Sequence, residues 1–406
     1  MKIKYLTIAL LISLASASIT ACAVTAETQE GDQSSFVERI KNKSYPAVFQ
    51  AWNPLDMPET FKTDSLANRL KTAAKHSLLW EEPVSQLGFN TPLVLGLVWD
   101  DKYAGMATQF TQDTLFQAKQ NRKTLLDHNP DMVLLMEIRW RDAPGSYFPE
   151  DCEYWARNPD GTRVMGWDGG PEPYYIINYE NENFQQRVAQ QARAAVDSGI
   201  YDGVMLDWSG HLEIIKKIKH SIGQDGLILV NIHDEIDKVA KYKDYINGAF
   251  MECGPETDRL CTWEKMQQAL AMYETEFQSP QINALELWTA DRNQEQAMRA
   301  ITTMGITHSD GYVLYADRNP LPTPDHLHNW YSFWDADLGK PVAKGFKRSD
   351  GAYQREFEKG VAVYNPPFNK PVKVVFDKNY LAVSTQVPRP DFDIPRGDGE
   401  IFLQQD

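Results

Sequence analysis

Tyr201-Asp202-Gly203-Val204-Met205-Leu206-Asp207-Trp208-Ser209 sets a short apolar run between two aspartates and follows the second with an indole. An apolar run of this length between polar flanks reads as a parallel strand covered on both faces. Its C-terminal tip then carries Asp207 and Trp208, at the end where α/β barrels place their chemistry. The pattern recurs. Val133-Leu134-Leu135-Met136-Glu137 precedes Ile138-Arg139-Trp140, and Gly248-Ala249-Phe250-Met251-Glu252 precedes Cys253. Ile282-Asn283-Ala284-Leu285-Glu286 precedes Leu287-Trp288, and Tyr312-Val313-Leu314-Tyr315 precedes Ala316-Asp317.

Outward from that stretch, strand-like and helix-like segments alternate eight times. The expected strands are Ala47–Ala51, Leu93–Val98, Met132–Glu137, Gly203–Asp207, Leu227–Asn231, Gly248–Glu252, Ile282–Glu286 and Gly311–Tyr315. The expected helices are Asp64–Leu79, Phe110–Asp127, Asn183–Asp197, His211–Ile222, Asp234–Lys243, Thr262–Phe277, Asn293–Met304 and Pro324–Phe333. Alternation of this kind implies parallel strands with helical crossovers. The expected class is α/β, a (β/α)8 or TIM barrel. A doubly wound sheet would show a glycine-rich phosphate turn after its first strand, and Gln50-Ala51-Trp52-Asn53-Pro54 has none. After Gly339-Lys340-Pro341 the period changes: Gly360 to Pro366, Val372 to Phe376 and Leu381 to Ser384 alternate like half-exposed antiparallel strands, a small C-terminal β domain. The long connection from Arg139 to Glu182 is rich in aromatics and is expected to form a wall of the cleft.

The chain has 406 residues, 42% of them hydrophobic, enough for one barrel of roughly 250 residues plus appendages. Its net charge is −15, with 56 acidic against 41 basic residues, and no basic stripe is interleaved with aromatics. Nucleic acid is therefore not an expected partner. Met1-Lys2-Ile3-Lys4 and the apolar run Leu6 to Ala17 have the form of a secretory signal, too short for a membrane span. Ile19-Thr20-Ala21-Cys22 resembles a bacterial lipobox, which would leave Cys22 as an acylated N-terminus and a lipid anchor in the membrane. The residue after it is Ala23 and not Asp, which by Gram-negative sorting rules points to the outer membrane. Cleavage after Val24-Thr25-Ala26 would instead give a soluble periplasmic or secreted protein. The expected division is a signal peptide with lipobox over 1–22, a polar tether over 23–44, a catalytic barrel over 45–338 and the β appendage over 339–406. In an oxidising compartment Cys253 and Cys261 can close a short loop beyond Glu252, leaving Cys152 unpaired. No metal site and no cofactor are expected: the spacing of the cysteines fits no zinc pattern, and no H-x-H motif follows the first strand.

Cleaving a glycosidic bond requires two carboxyl groups across it, one to protonate the leaving oxygen and one to attack or to activate water. Asp207 and Glu252 are the expected catalytic pair, because strand parity turns both inward at the barrel mouth. Each also has a purely structural reading, as a helix cap or as a partner of Arg139. Glu137, Arg139, Asn231, Glu286 and Asp317 are candidate sugar-binding groups, each equally open to an ion pair or hydrogen bond within the protein. Trp52, Trp99, Trp140, Trp208 and Trp288 all sit at expected strand ends, where flat rings can stack on a sugar. A carbohydrate is thus the expected partner, whether cleaved or only held.

Asp202-Gly203-Val204-Met205-Leu206-Asp207, Phe250-Met251-Glu252, Leu338-Gly339-Lys340-Pro341 and the run Arg355 to Pro366 together carry a resemblance over about residues 45 to 380. This set resembles the bacterial glycosyl-hydrolase-like barrels and, more distantly, is similar to the endo-alpha-1,4-polygalactosaminidase family. The resemblance implies a barrel whose fourth-strand aspartate, Asp207, is catalytic, with a second acid, Glu252, on a later strand.

Overall fold

A computed structural model describes residues 35–52, 65–83, 94–167, 172–254, 261–317 and 326–405. Cys22 and the lipobox lie outside the described residues. From the N-terminus the chain runs α1 (Phe36–Asn42), β1 (Phe49–Gln50), α2 (Leu66–Ala73), β2 (Leu78–Glu81), α3 (Gln112–His128), β3 (Val133–Glu137), β4 (Asp142–Pro144), β5 (Tyr174–Ile176) and α4 (Glu182–Asp197). It continues through β6 (Gly203–Leu206), α5 (Leu212–Ile222), β7 (Leu227–Asn231), α6 (Val239–Tyr242), β8 (Gly248–Cys253), α7 (Trp263–Glu276), β9 (Ala284–Thr289), α8 (Glu295–His308) and β10 (Tyr312–Asp317). Eight parallel strands lie in the order β1-β2-β3-β6-β7-β8-β9-β10. A parallel bridge between Val48 and Val313 returns the last strand to the first and closes the barrel. Every crossover is long enough for the helical return that parallel pairing demands.

Local sequence explains most of these elements. In α5 the buried residues Ile214, Ile215, Ile218 and Ile222 recur at helical spacing, and Gly223 ends the helix at a φ of 56° that an L side chain resists. Asn181 caps α4 by accepting from the backbone of Asn183 and Phe184. Gly203 opens β6 because a Cβ there would stand 2.1 Å from the carbonyl oxygen of Leu227 on β7. Inside the barrel Phe49, Trp80 and Phe250 pack against one another with centroids 5.0 to 5.8 Å apart, so the lumen is filled by rings below the mouth.

The second strand is not where the apolar pattern puts it. Leu78–Glu81 takes that place, pairing with β1 on one side and β3 on the other. The described part of the expected strand, Val94 to Val98, is buried connection without a ladder, and Leu93 lies outside the described residues. Its backbone is satisfied by side chains: Glu81 accepts from the N–H groups of Val94 and Leu95 at 2.8 and 3.4 Å, and Asn121 donates to the Leu95 carbonyl at 3.0 Å. The helix expected over Asp64–Leu79 therefore stops at Ala73. The helix expected over Pro324–Phe333 is also absent from the described residues of that stretch: 326–331 run as an irregular strap and only Ser332–Asp335 form a 3-10 turn. Within the stretch expected to be a tether, Phe36–Asn42 is helical, closed by a capping box between Ser35 and Glu38, and its Arg39 pairs with Asp202 at the base of the barrel.

The C-terminal sheet follows as β11 (Phe346–Lys347), β12 (Tyr353–Phe357), β13 (Gly360–Asn365), β14 (Val372–Ala382), β15 (Val387–Ile394) and β16 (Asp398–Gln404), ordered β11-β12-β13-β16-β14-β15. The two expected strands Val372–Phe376 and Leu381–Ser384 are one, β14, with an irregularity between Val375 and Tyr380. This sheet packs on α8. Arg299 makes two bonds of 2.9 Å to Asp398, and a side chain at Gly399 would collide with Thr303. Pro388 and Pro390 occupy the outer strand β15, which blunts that edge.

Candidate active site

The register of the strands sets the depth of each acid. Glu137 is the partner of Met205, Asn231 that of Phe250, and Glu252 that of Glu286, so all of these point inward at the C-terminal face. Asp207 follows β6 directly and stands one step above Met205 on the same face.

Asn231 joins the two expected catalytic acids. Its Nδ2 donates to Asp207 Oδ1 at 2.8 Å and to Glu252 Oε2 at 2.7 Å. Those two oxygens are thus at most about 5.5 Å apart, which is below the roughly 6.5 Å that an intervening water needs and compatible with direct attack by one carboxylate while the other protonates the leaving oxygen. The surroundings treat the two acids unequally. Burial pushes the Glu252 carboxyl up, and the nearby Asp207 and Glu286 add to it; His326 and the Asn231 amide pull the other way, leaving Glu252 at about 8. Glu252 therefore holds its proton at neutral pH. Asp207 is half-buried and takes a fixed position from its own backbone, since Trp140 Nε1 donates to the Asp207 carbonyl at 2.6 Å.

Around this pair the backbone is held in unusual conformations. Trp208, Ser209 and Gly210 follow Asp207 with φ of 54°, 66° and 62°, and Trp52, His233 and His326 are also left-handed at 45°, 48° and 66°. At the non-glycine positions each such conformation costs about 1 to 3 kcal/mol, which the packing and hydrogen bonds around the mouth must sustain. His233 is pinned by its Nδ1, 2.6 Å from the Glu252 carbonyl.

A second group of charges lies toward β2 and β3. Arg139 bonds Glu82 at 2.9 Å and stands 3.6 Å from Glu137, and Trp52 Nε1 donates to Glu137. Burial pushes Glu137 up to about 8 despite Arg139, with Glu82 and Asp207 contributing; Glu82 is raised for the same reason. The buried Tyr174 lies under the Arg139 guanidinium at 5.4 Å, and its hydroxyl has no hydrogen-bond partner among the described residues. One arginine thus faces two buried acids. At the rim Trp208 is 40% exposed with Arg141 stacked on it at 4.0 Å. Trp288 is half-buried beside His326, its Nε1 without a partner among the described residues.

The structure thus brings Trp52, Glu137, Arg139, Trp140, Asp207, Trp208, Asn231, Glu252, Glu286 and Trp288 to the C-terminal face. Trp99 is not at a strand tip: it lies in the connection between β2 and α3, buried and stacked on Phe110 with centroids 4.0 Å apart. The side chain of Asp317 lies outside the described residues. Cys253 and Cys261 are joined by a disulfide just past Glu252, and Cys152 is free. Glu82 and His326 escaped the sequence reading for different reasons. Leu78-Leu79-Trp80-Glu81-Glu82 shows the same apolar run ending in acids as the other tips, but the helix expected over Asp64–Leu79 takes in its first two residues; His326 gives no strand-end signal at all.

No family model matches this chain, and no curated protein matches it in sequence. Solved structures do. A noncanonic maltogenic alpha-amylase from Thermotoga neapolitana superimposes with a TM-score of 0.53 at 12% identity, covering 88% of this chain and 99% of that one. An alpha-amylase from Malbranchea cinnamomea gives 0.54 at 10%, covering 91% and 97%. A pullulanase from Anoxybacillus sp. LM18-11, complexed with maltotriose, gives 0.56 at 10%, covering 91% and 70%. The chain has the barrel-plus-sheet fold of these glycoside hydrolases; at such identities the likeness is one of fold alone.

Proposed function

We propose that this protein is a glycoside hydrolase that cleaves O-glycosidic bonds with Asp207 as nucleophile and Glu252 as acid/base. The observation that carries the reading is the Asn231 bridge, which holds one acid of raised proton affinity within about 5.5 Å of a second carboxylate. In the first step Glu252 gives its proton to the leaving oxygen while Asp207 bonds the anomeric carbon. In the second, ionised Glu252 takes a proton from water, which displaces Asp207 and restores both groups with retained configuration. The Glu137–Arg139–Glu82 group and Trp52 line the sugar at the reacting bond, and Trp208 on Arg141 carries the next residue of the chain. The fold of the amylases and the pullulanase supports a carbohydrate as the substrate, in keeping with the wider of the two sequence resemblances.

A second reading, a barrel that holds glycans without cutting them, has one observation of its own. Trp208 on Arg141 is an exposed platform that binds a sugar face with no chemistry. The two readings part on Asp207→Asn. Retained glycan binding with turnover lost supports the hydrolase, and wild-type protein that binds yet releases no reducing ends over a panel of glycans supports the binding barrel. The panel begins with α-glucans, because the pullulanase of this fold holds maltotriose. The Cys253–Cys261 disulfide supports export to an oxidising compartment, and an acylated Cys22 as outer-membrane anchor belongs to the same proposal. An unmodified mature N-terminus at Glu27 by mass spectrometry rejects the anchor.

A further inference from the structure

His326 enters the barrel mouth on the strap that follows β10, and nothing in the reaction described so far uses it. Its Nδ1 lies 2.9 and 2.8 Å from the two oxygens of Glu286. Glu286 is 0% exposed and His326 3%. Burial of both groups at this distance favours an ion pair, an imidazolium on a carboxylate. Glu286 is in turn the register partner of Glu252 on the adjoining strand, with both side chains on the inward face. The imidazole ring is fixed by rings on three sides: Trp52 at 4.8 Å, Trp288 at 5.4 Å and Phe250, two residues before Glu252, at 6.2 Å. Its left-handed φ of 66° and a bond of 3.0 Å between its carbonyl and His328 Nδ1 fix the backbone. His328 is anchored beside His76, their Nε2 atoms 3.0 Å apart, which ties the strap to the start of β2.

We propose that His326 is a tuning residue of the acid/base: clamped by Glu286, it holds a fixed positive charge beside Glu252 and keeps that carboxyl able to release its proton. The inference rests on the hydrolase reading for the role of Glu252, not for the electrostatics. Around Glu252 the charges are accounted for by element. Asp207 after β6 and Glu286 on β9 hold its proton on, as does burial; His326 opposes them, helped by the neutral Asn231 amide on β7. Among the described residues, Glu286 of β9, Glu252 of β8 and His328 of its own strap stand around His326; Trp52 on its face is neutral and hydrogen-bonded to Glu137. Without the imidazolium, the Glu286 carboxylate and a low-dielectric surround would keep Glu252 protonated through the second step, where a base is needed and Asp207, esterified, carries no charge.

The test is a ¹³C-carboxyl NMR titration of Glu252 in the substrate-free protein, its signal assigned by its loss in Glu252→Gln. His326→Asn keeps an N–H near the Nδ1 position and tolerates the left-handed backbone, but removes the charge. The Glu252 midpoint is expected to rise by about 1 pH unit or more. Glu286→Gln, which frees the imidazole to lose its proton near neutrality, is expected to raise it by less, and it carries the test if His326→Asn does not fold. A midpoint that stays or falls in the folded variants overturns the proposal. Where the protein cleaves a glycan, the alkaline limb of kcat/KM moves upward with the midpoint, which a merely structural histidine would not do. A shifted midpoint in a protein that cleaves nothing upholds this inference and rejects the hydrolase; a hydrolase with an unmoved midpoint does the reverse.

Discussion

Asp202 and Asp207 stand at opposite ends of β6 and are treated in opposite ways. At the base, burial pushes Asp202 up, but Arg122 at 2.8 Å, Arg39 and the Leu134 N–H at 2.9 Å more than offset it and hold the carboxyl below its ordinary range. At the mouth, Glu82 and Glu137 share one arginine, and Asp207 and Glu252 share only an amide between them. The base has its acid fully compensated; the mouth has more buried acid than cation. Compensation of that kind gives rigidity, whereas its lack leaves protons that can move near neutral pH.

The largest test of this contrast is Asp202→Asn. It removes the buried carboxylate charge that faces the Arg39 and Arg122 guanidinium groups and is expected to cost about 3 to 5 kcal/mol of stability. The midpoint of urea unfolding should fall accordingly, and any activity lost should return when the variant is assayed under conditions that keep it folded. A stable Asp202→Asn protein would mean the base is not the structural end. Next come Asp207→Asn and Glu252→Gln, each expected to lower turnover at least about a hundredfold, or roughly 2.7 kcal/mol of transition-state stabilisation, with little change in unfolding midpoint. Full activity in either removes that residue from the mechanism.

Protons give a smaller effect with a definite sign. Glu81 at about 7 and Glu137 and Glu252 at about 8 are raised in the folded state from 4.5, so their proton-bound stabilisation is complete below pH 4.5 and is lost as pH rises through 7 to 8. His308 and His328, lowered by burial from 6.5 to about 4, act the other way, subtracting stability as pH falls from 6.5 toward 4. Between 4.5 and 6.5 the two sets oppose each other, between 6.5 and 8 the acids prevail, and above 8 Lys43, lowered by burial from 10.5 to about 8, acts against them. Tm should therefore fall from pH 6.5 to 8 by calorimetry, and Glu137→Gln and Glu252→Gln should each flatten that slope. An equal slope in both variants would place the titration elsewhere. Smallest of all, Trp208→Ala should weaken glycan binding about two- to tenfold, the worth of one stacked ring, and leave Tm unchanged. A binding isotherm identical to wild type would show that the exposed indole carries no sugar.

The chain sequence determined the barrel through local patterns: apolar runs of strand length, amphipathic helices between them, and an acid at tip after tip, as in Val133–Glu137 and Gly248–Glu252. Those signals are legible because the faces of a strand and of a helix are written in neighbouring residues. The choice between Leu78–Glu81 and Val94–Val98 as second strand is not written that way. Both are apolar and of strand length, and only the first finds β1 and β3 on its two sides, while the N–H groups of Val94 and Leu95 are taken by Glu81. Trp99, next to the rejected segment, accordingly packs on Phe110. The same holds for charge. Asp202 and Asp207 are one residue type on one strand, and what separates them is Arg39 and Arg122 at one end and Asn231, Glu252 and His326 at the other, all brought in from distant parts of the chain. Tertiary structure decided which acid is neutralised, because compensation depends on distance in space and not on spacing in sequence.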